Sequence, residues 1–122
     1  SMYLFLRYCA GDFVYSVTED TEGEAILTVM RVIGKRASTV FMMHLSEISE
    51  IKMMSKAEKS KHAPAPDAKT YNFCPSYSPE RVCLIKFSSR TERCECFIEC
   101  TDEVAARLRE YALYAKETER EE

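Results

Sequence analysis

Three cysteines near the carboxyl end have the types and spacing best suited to chemistry. Cys94, Cys96 and Cys100 follow the pattern Cys-x-Cys-x3-Cys in a segment that alternates like a β-strand, so their thiols share one face. Thiolates bind zinc and iron, and Cys83 on the preceding predicted strand is a candidate fourth ligand. A straight strand, however, spreads the three thiols over ~20 Å at about 3.3 Å per residue. Packing as small core hydrophobes is therefore favoured, with a metal or redox site as the alternative.

Beyond the cysteines, the chain offers no coherent catalytic set. Its two histidines, His44 on a predicted strand and His62 in a predicted loop, are not placed by the sequence beside any cysteine. A reactive thiol needs a base or an electropositive neighbour to lower its pKa, so we expect both histidines to be exposed and structural. We therefore predict no enzyme activity, no catalytic residue, no metal and no cofactor. Two carboxylate pairs fit ordinary solvated faces: Glu47 with Glu50, and Glu95 with Glu99.

Two groups of basic residues are candidates for binding an anion or a lipid headgroup. Arg31 precedes a turn that carries Lys35 and Arg36, and a later Lys-rich segment includes Lys56 and Lys59. A lysine close to an anionic membrane contributes on the order of 1 kcal/mol. The later segment has no aromatic or apolar wedge among its lysines. A membrane-surface adaptor is therefore the second functional hypothesis, behind a solvated surface.

A third group, of apolar residues, suggests a protein partner. Adjacent methionines on a strand place one side chain on each sheet face, so Met42 and Met54, from the pairs Met42-Met43 and Met53-Met54, are expected outside the core. Phe97 is flanked by Glu95 and Glu99 on the face opposite the cysteines. Exposed methionine and aromatic side chains suit adaptable protein interfaces. The alternative, equally weighted, is that the predicted C-terminal helix covers this face.

Composition places these residues in one globular domain. The chain has 122 residues, of which 46% are hydrophobic, and a formal net charge of −3. An acidic chain is poorly suited to nucleic acid, which attracts basic surfaces, and no apolar run is long enough to cross a membrane. Six cysteines without an export signal indicate the reducing cytoplasm. We predict a single domain over residues 2–116 and a charged tail over residues 117–122.

The elements that position these residues are mainly β-strands. Runs rich in β-branched and aromatic residues alternate with short polar or glycine-containing turns, and the first four are predicted to form an antiparallel meander. A short edge strand limited by Pro75 is predicted before the last two strands. The predicted strands are Tyr3–Cys9, Phe13–Thr18, Ala25–Ile33, Thr39–Leu45, Ser49–Met54, Tyr71–Tyr77, Val82–Phe87 and Glu92–Cys100.

Two segments between these runs are harder to interpret. Leu45, Ile48, Ile51 and Met54 recur every three residues, which fits either a helix face or a strand, a corner and a second strand. We favour the strand interpretation because the preceding residues are β-rich. The segment 55–69 is rich in Lys, Ala and Ser and contains two prolines, so we predict a mobile surface loop.

A C-terminal helix is the clearest element of the sequence. Thr101 or Asp102 is a suitable N-cap, and the apolar residues that follow have helical spacing. The stripe ends near Lys116, beyond which only charged and polar residues remain, so the tail is expected to fray. The stripe consists of Val104, Leu108, Tyr111 and Ala115.

A meander over 26–45, two strands over 82–100 and a closing helix together resemble the pleckstrin-homology-like (PH-like) domain in its bacterial form. The resemblance covers roughly residues 13–116 and rests on hydrophobic patterns. It implies a mainly β (α+β) fold, a split barrel of about seven antiparallel strands capped by one C-terminal helix. It also implies an interaction or scaffold module, so we expect a protein partner or self-association as a homo-oligomer.

Overall fold

The computed structural model describes residues 3–75 and 79–120. Within them the chain forms two four-stranded sheets and two helices. A mainly β fold with a C-terminal helix is thus confirmed, with eight strands as the sequence patterns predict, but the sheets do not close into a barrel. The elements are β1 (Tyr3–Ala10), β2 (Phe13–Glu19), β3 (Ala25–Ile33), β4 (Arg36–His44), β5 (Ile48–Ser55), α1 (Lys56–Lys61), β6 (Lys69–Phe73), β7 (Arg81–Ser89), β8 (Glu92–Ile98) and α2 (Asp102–Arg120).

The first sheet is the predicted meander, with order β1-β2-β3-β4 and antiparallel pairing throughout. The two-residue β1–β2 turn contains Gly11, where φ is +59° and a Cβ would lie 2.5 Å from the Cβ of Pro75. Only glycine combines a positive φ with the absence of a side chain. The β1–β2 turn therefore contacts the segment that precedes β7.

The second sheet has the order β5-β7-β8-β6. Its edge strand β6 pairs with β8 in parallel, so the prediction of exclusively antiparallel strands is wrong. Sequential strands usually pair in antiparallel fashion through short turns, but the connection from β6 leads to β7 and leaves β8 between them. The predicted edge strand at Tyr71–Tyr77 is observed at Lys69–Phe73, and residues 76–77 of the prediction lie outside the described residues.

The ambiguous segment after β4 is a corner followed by a strand, as favoured from the sequence. A 3₁₀ turn over Leu45–Glu47 leads directly into β5. The segment predicted as a mobile loop instead begins with α1. Ser55 and Glu58 form a capping box, in which Glu58 N donates to Ser55 Oγ at 3.1 Å and Ser55 N donates to Glu58 Oε1 at 3.0 Å. The prediction missed the Ser-x-x-Glu signal for this helix.

The hydrophobic core fills the space between the two sheets. Its side chains alternate along the strands, as sheet-on-sheet packing requires. The ring of Phe41 from the first sheet lies 4.9 Å from that of Tyr71 and 5.5 Å from that of Phe87 in the second, measured between centroids. Fully buried members from both sheets include Val17, Leu27, Val29, Ile85, Cys96 and Ile98.

The C-terminal helix packs against β5 and the 3₁₀ turn. Thr101 is the N-cap, because its Oγ1 accepts a hydrogen bond from Val104 N at 3.2 Å. Val104 and Leu108 are buried, which confirms the predicted stripe at those positions. The helix extends to Arg120, so the tail predicted to start at residue 117 begins inside it. Neither described helix has the length and apolar character needed to cross a membrane.

Candidate functional site

A groove of about 750 Å³ lies between one end of the first sheet and α2. Its floor includes Val17 and Ala25 on neighbouring strands, and its walls come from β1, the β2–β3 turn, the 3₁₀ turn and the helix. Pockets of this size hold small molecules or a few side chains of a partner. Its acidic and aromatic lining residues are Glu19, Glu22, Glu24, Glu47, Glu110, Phe5, Tyr111 and Tyr114.

The β2–β3 turn holds one acidic wall in a fixed conformation. Asp20 Oδ1 accepts hydrogen bonds from the backbone N–H groups of Glu22 and Glu24, both at 2.9 Å, as short acidic side chains commonly do in turns. Gly23 provides the reversal with a φ of +83°. Carboxylate oxygens of Asp20, Glu22 and Glu24 lie within 4.8 Å of one another. Because Asp20 Oδ1 is already bonded to two backbone N–H groups of the turn, we assign no metal to this cluster.

The 3₁₀ turn forms the second acidic wall. Glu47 Oε1 accepts a hydrogen bond from His44 N at 3.1 Å, and His44 Nδ1 lies 3.3 Å from Glu24 Oε2. His44 is the one basic side chain among the described lining residues. Within residues 3–75 and 79–118, no ion pair involves Glu19, Glu22 or Glu110. The groove therefore has an excess of negative charge.

Aromatic rings form the remaining wall. Phe5 is the extra residue of a bulge in β1, and its ring centroid lies 5.6 Å from that of Tyr111. The carbonyl oxygen of Phe5 accepts hydrogen bonds from Arg107 Nη2 at 2.6 Å and from Tyr111 Oη at 3.2 Å. These bonds hold β1 against α2. Tyr114, 64% exposed, extends the wall and offers a face for cation–π contact.

The basic residues predicted to bind anions do not form one site. Arg31 Nε pairs with Asp12 Oδ2 at 2.8 Å. Lys59 Nζ donates to Asn72 Oδ1 at 3.5 Å and lies 5.0 Å from the ring centroid of Phe97. Lys56 belongs to α1, whereas Lys35 and Arg36 are at the exposed β3–β4 turn of the other sheet.

The three residues predicted to contact a partner have different environments. Met42 is 55% exposed on the outer face of the first sheet, but Met54 is 5% exposed and Phe97 is 6% exposed. The expected exposure of Met54 and Phe97 is therefore wrong. They pack in a small cluster with Val82 and Leu84, and Phe97 is covered by side chains from α1 and the following loop. The alternative, that the C-terminal helix covers this face, is wrong as well: α2 packs against β5 and the 3₁₀ turn, and the covering helix is α1, which was not predicted.

A part-buried contact between His62 and Glu95 attaches that loop to the second sheet. His62 Nε2 lies 3.2 Å from Glu95 Oε1 and 3.4 Å from Glu95 Oε2, and its ring meets that of Phe97 edge-on. Glu95 is 3% exposed, with Lys86 Nζ 3.9 Å from the same carboxylate. The prediction of an exposed His62 and a solvated Glu95 is therefore wrong, because the loop folds back over the sheet.

The cysteine cluster belongs to the core. Cys83, Cys94, Cys96 and Cys100 are all buried and unpaired, and all four are part of the main hydrophobic cluster. Burial raises the pKa of the Cys96 thiol far above its ordinary value. A raised pKa removes thiolate character at Cys96, whereas the hydrogen bond with Cys83 lowers the pKa of the Cys100 thiol. Burial of all four thiols in the core favours packing over nucleophilic chemistry.

The groove could not be recognised from the sequence. Its densest acidic stretch, Glu19–Glu24, is visible there, but it predicts only a chain reversal. The other walls come from residues 5, 44–47 and 110–118, which the fold brings together. Comparison with protein-family models, with curated proteins and with solved structures finds no match to this chain.

Proposed function

We propose that this chain is a non-enzymatic interaction module that binds a positively charged segment of a protein partner in the acidic groove. The observation that carries the proposal is the lining itself: five glutamates and three aromatic rings surround about 750 Å³, with one histidine as the basic side chain. Opposite charge and shape attract a partner and fix its orientation.

Lysine and arginine fit this lining better than a bare metal ion. Their stems are apolar and their ends are charged, so one side chain can contact a ring and a carboxylate together. Phe5, Tyr111 and Tyr114 provide the rings, while Glu22 and Glu110 come from opposite sides of the groove. Arginine adds planar stacking and paired hydrogen bonds to carboxylates.

We further propose that the fold is a PH-like variant working in the cytoplasm. A four-stranded meander, a second sheet and a C-terminal helix support the resemblance. The parallel pairing of β6 with β8 is a departure from it. Six unpaired cysteines are typical of a reducing compartment. The alternative of a membrane-surface adaptor has weaker support, because Arg31 and Lys59 are engaged within the chain.

Calorimetric titration with a blocked tetra-arginine peptide tests the function. We expect saturable binding at one site that weakens with added salt, and no binding of tetra-glutamate. The double variant Glu22→Gln/Glu110→Gln should weaken binding on the order of tenfold or more. Glu92→Gln, at the exposed start of β8 and outside the groove, is the matched control. Equal binding by all variants would show that the groove is not the site.

A further inference from the structure

The β3–β4 hairpin projects beyond the rest of the first sheet. The pairing between β2 and β3 ends at Phe13 with Arg31, whereas β3 and β4 continue to pair up to Ile33 with Arg36. All residues from 33 to 40 are exposed. The hydrogen bond from Val32 N to Asp12 O, at 2.7 Å, supports the hairpin at its base. Its tip is therefore an ordered protrusion available to a partner.

The tip of the hairpin carries positive charge, opposite in sign to the charge of the groove. Lys35 and Arg36 lie at the turn, and the chain contains no acidic residue from Ala25 through Ser46. In the described part of the chain, neither basic side chain has an ion-pair partner. Beside them, Ile33 is 65% exposed. The tip thus presents two cations and one apolar side chain.

The tip and the groove lie at opposite ends of the first sheet. Strand pairing sets Glu19 against Ala25 at the groove end and Phe13 against Arg31 at the tip end. Successive residues of a strand advance about 3.3 Å, so the two ends are on the order of 20 Å apart. The tip of a molecule therefore cannot fill its own groove.

We propose that the β3–β4 tip of one copy occupies the acidic groove of a second copy, so that the molecules associate head to tail. The inference rests on the proposed function and names the partner of that site. Lys35 and Arg36 meet the glutamates of the groove, and Ile33 packs against its aromatic wall. The contact is heterologous and leaves one free tip and one free groove on every pair, so assembly continues beyond the dimer.

Sedimentation velocity of the full chain over a concentration series tests the arrangement. The average mass should rise past the dimer, and added salt should reduce it because exposed charges are screened. Two variants each remove one side of the contact: Lys35→Glu/Arg36→Glu at the tip and Glu22→Lys/Glu110→Lys in the groove. Each alone should weaken association on the order of tenfold or more. Lys56→Glu, on α1 of the other sheet, is the control and should associate normally.

Mixing the two charge-reversed variants separates head-to-tail contact from other modes. The intact groove of the tip variant can accept the intact tip of the groove variant, so the mixture should associate although each variant alone does not. A wild-type mass that stops at the dimer, or association that survives the tip variant, would overturn the arrangement. Wild-type protein that stays monomeric yet binds tetra-arginine would overturn the inference and leave the proposed function standing.

Discussion

The hydroxyl of Tyr15 donates a hydrogen bond to the carbonyl oxygen of Phe73 at 2.6 Å, across the interior between the two sheets. The hydroxyl oxygen of Tyr15 in turn accepts a hydrogen bond from the backbone N–H of Glu99 at 3.2 Å. Tyr15 is 1% exposed, and its burial strongly raises the pKa of its hydroxyl. One side chain of the first sheet thus satisfies two backbone groups, at the end of β6 and just beyond β8.

Replacing Tyr15 with Phe should therefore cost stability without emptying the core. Both backbone groups lose their partner, and an unsatisfied buried polar group costs about 1–3 kcal/mol. Urea denaturation, monitored by circular dichroism, measures the free energy of unfolding. The control, Tyr114→Phe, removes a hydroxyl from a side chain that is 64% exposed and should change stability by less than about 0.5 kcal/mol. Equal effects of the two variants would contradict this role for Tyr15.

The pair formed by His62 and Glu95 should stabilise the loop that follows α1. In His62→Ala the carboxylate of Glu95 remains buried, with only the more distant Lys86 nearby, and a loss of about 1–3 kcal/mol is expected. Adding Glu95→Gln should restore part of the loss, because a neutral amide is cheaper to bury than a carboxylate. Hydrogen exchange of residues 56–68 should accelerate in His62→Ala. Unchanged exchange there would show that the pair does not hold the loop.

Two glycines with nearly the same backbone conformation provide a matched test of packing. Gly11 has φ +59° and Gly34 has φ +61°, but a Cβ meets Pro75 at 2.5 Å only at Gly11 and finds nothing within 4 Å at Gly34. Gly11→Ala should therefore lower the melting temperature clearly more than Gly34→Ala. Backbone strain alone costs about 1 kcal/mol in either variant. Equal melting temperatures would mean that the β1–β2 turn does not contact Pro75.

Alkaline pH should destabilise the protein already at pH values below those at which lysine side chains lose their proton. Burial raises the pKa of the Cys96 thiol above its ordinary 9.0 and that of Cys74 to about 11. Below about pH 9 both thiols are protonated in the folded and in the unfolded chain, so their contribution to the free energy of unfolding is intact there. Above it the unfolded thiols ionise and the folded ones stay protonated, so stability falls as pH rises, by up to about 1.4 kcal/mol per pH unit for each thiol. Cys96→Ala should show a shallower fall between pH 9 and 11, and an unchanged slope would contradict burial of this thiol as the cause.

Much of the fold follows from local patterns in the sequence. Alternating strands, the turns at Gly11 and Gly34, and the Thr101 cap depend on neighbouring residues and could be predicted. The parallel pairing of β6 could not, because it depends on which distant strand its edge meets. Burial of Glu95 likewise depends on a loop more than thirty residues away along the chain.

The candidate site was much less predictable than the fold. Its residues come from β1 through β4, the β2–β3 turn, the 3₁₀ turn and α2, and each fragment has an ordinary local explanation: an acidic turn, a strand end, a helix face. The contacts of Phe5 with Arg107 and Tyr111 join β1 to α2 and form the groove between them. The basic turn at Lys35 and Arg36 was visible in the sequence, but its acidic counterpart depends on tertiary structure.

The most direct test of the central claim is a two-dimensional ¹H–¹⁵N NMR titration of the chain with the blocked tetra-arginine peptide. We expect the shift changes to concentrate at residues 19–24, 44–47 and 110–118, and to be lost in Glu22→Gln/Glu110→Gln. Shift changes confined to other surfaces, or identical in that variant, would contradict a cation-binding groove.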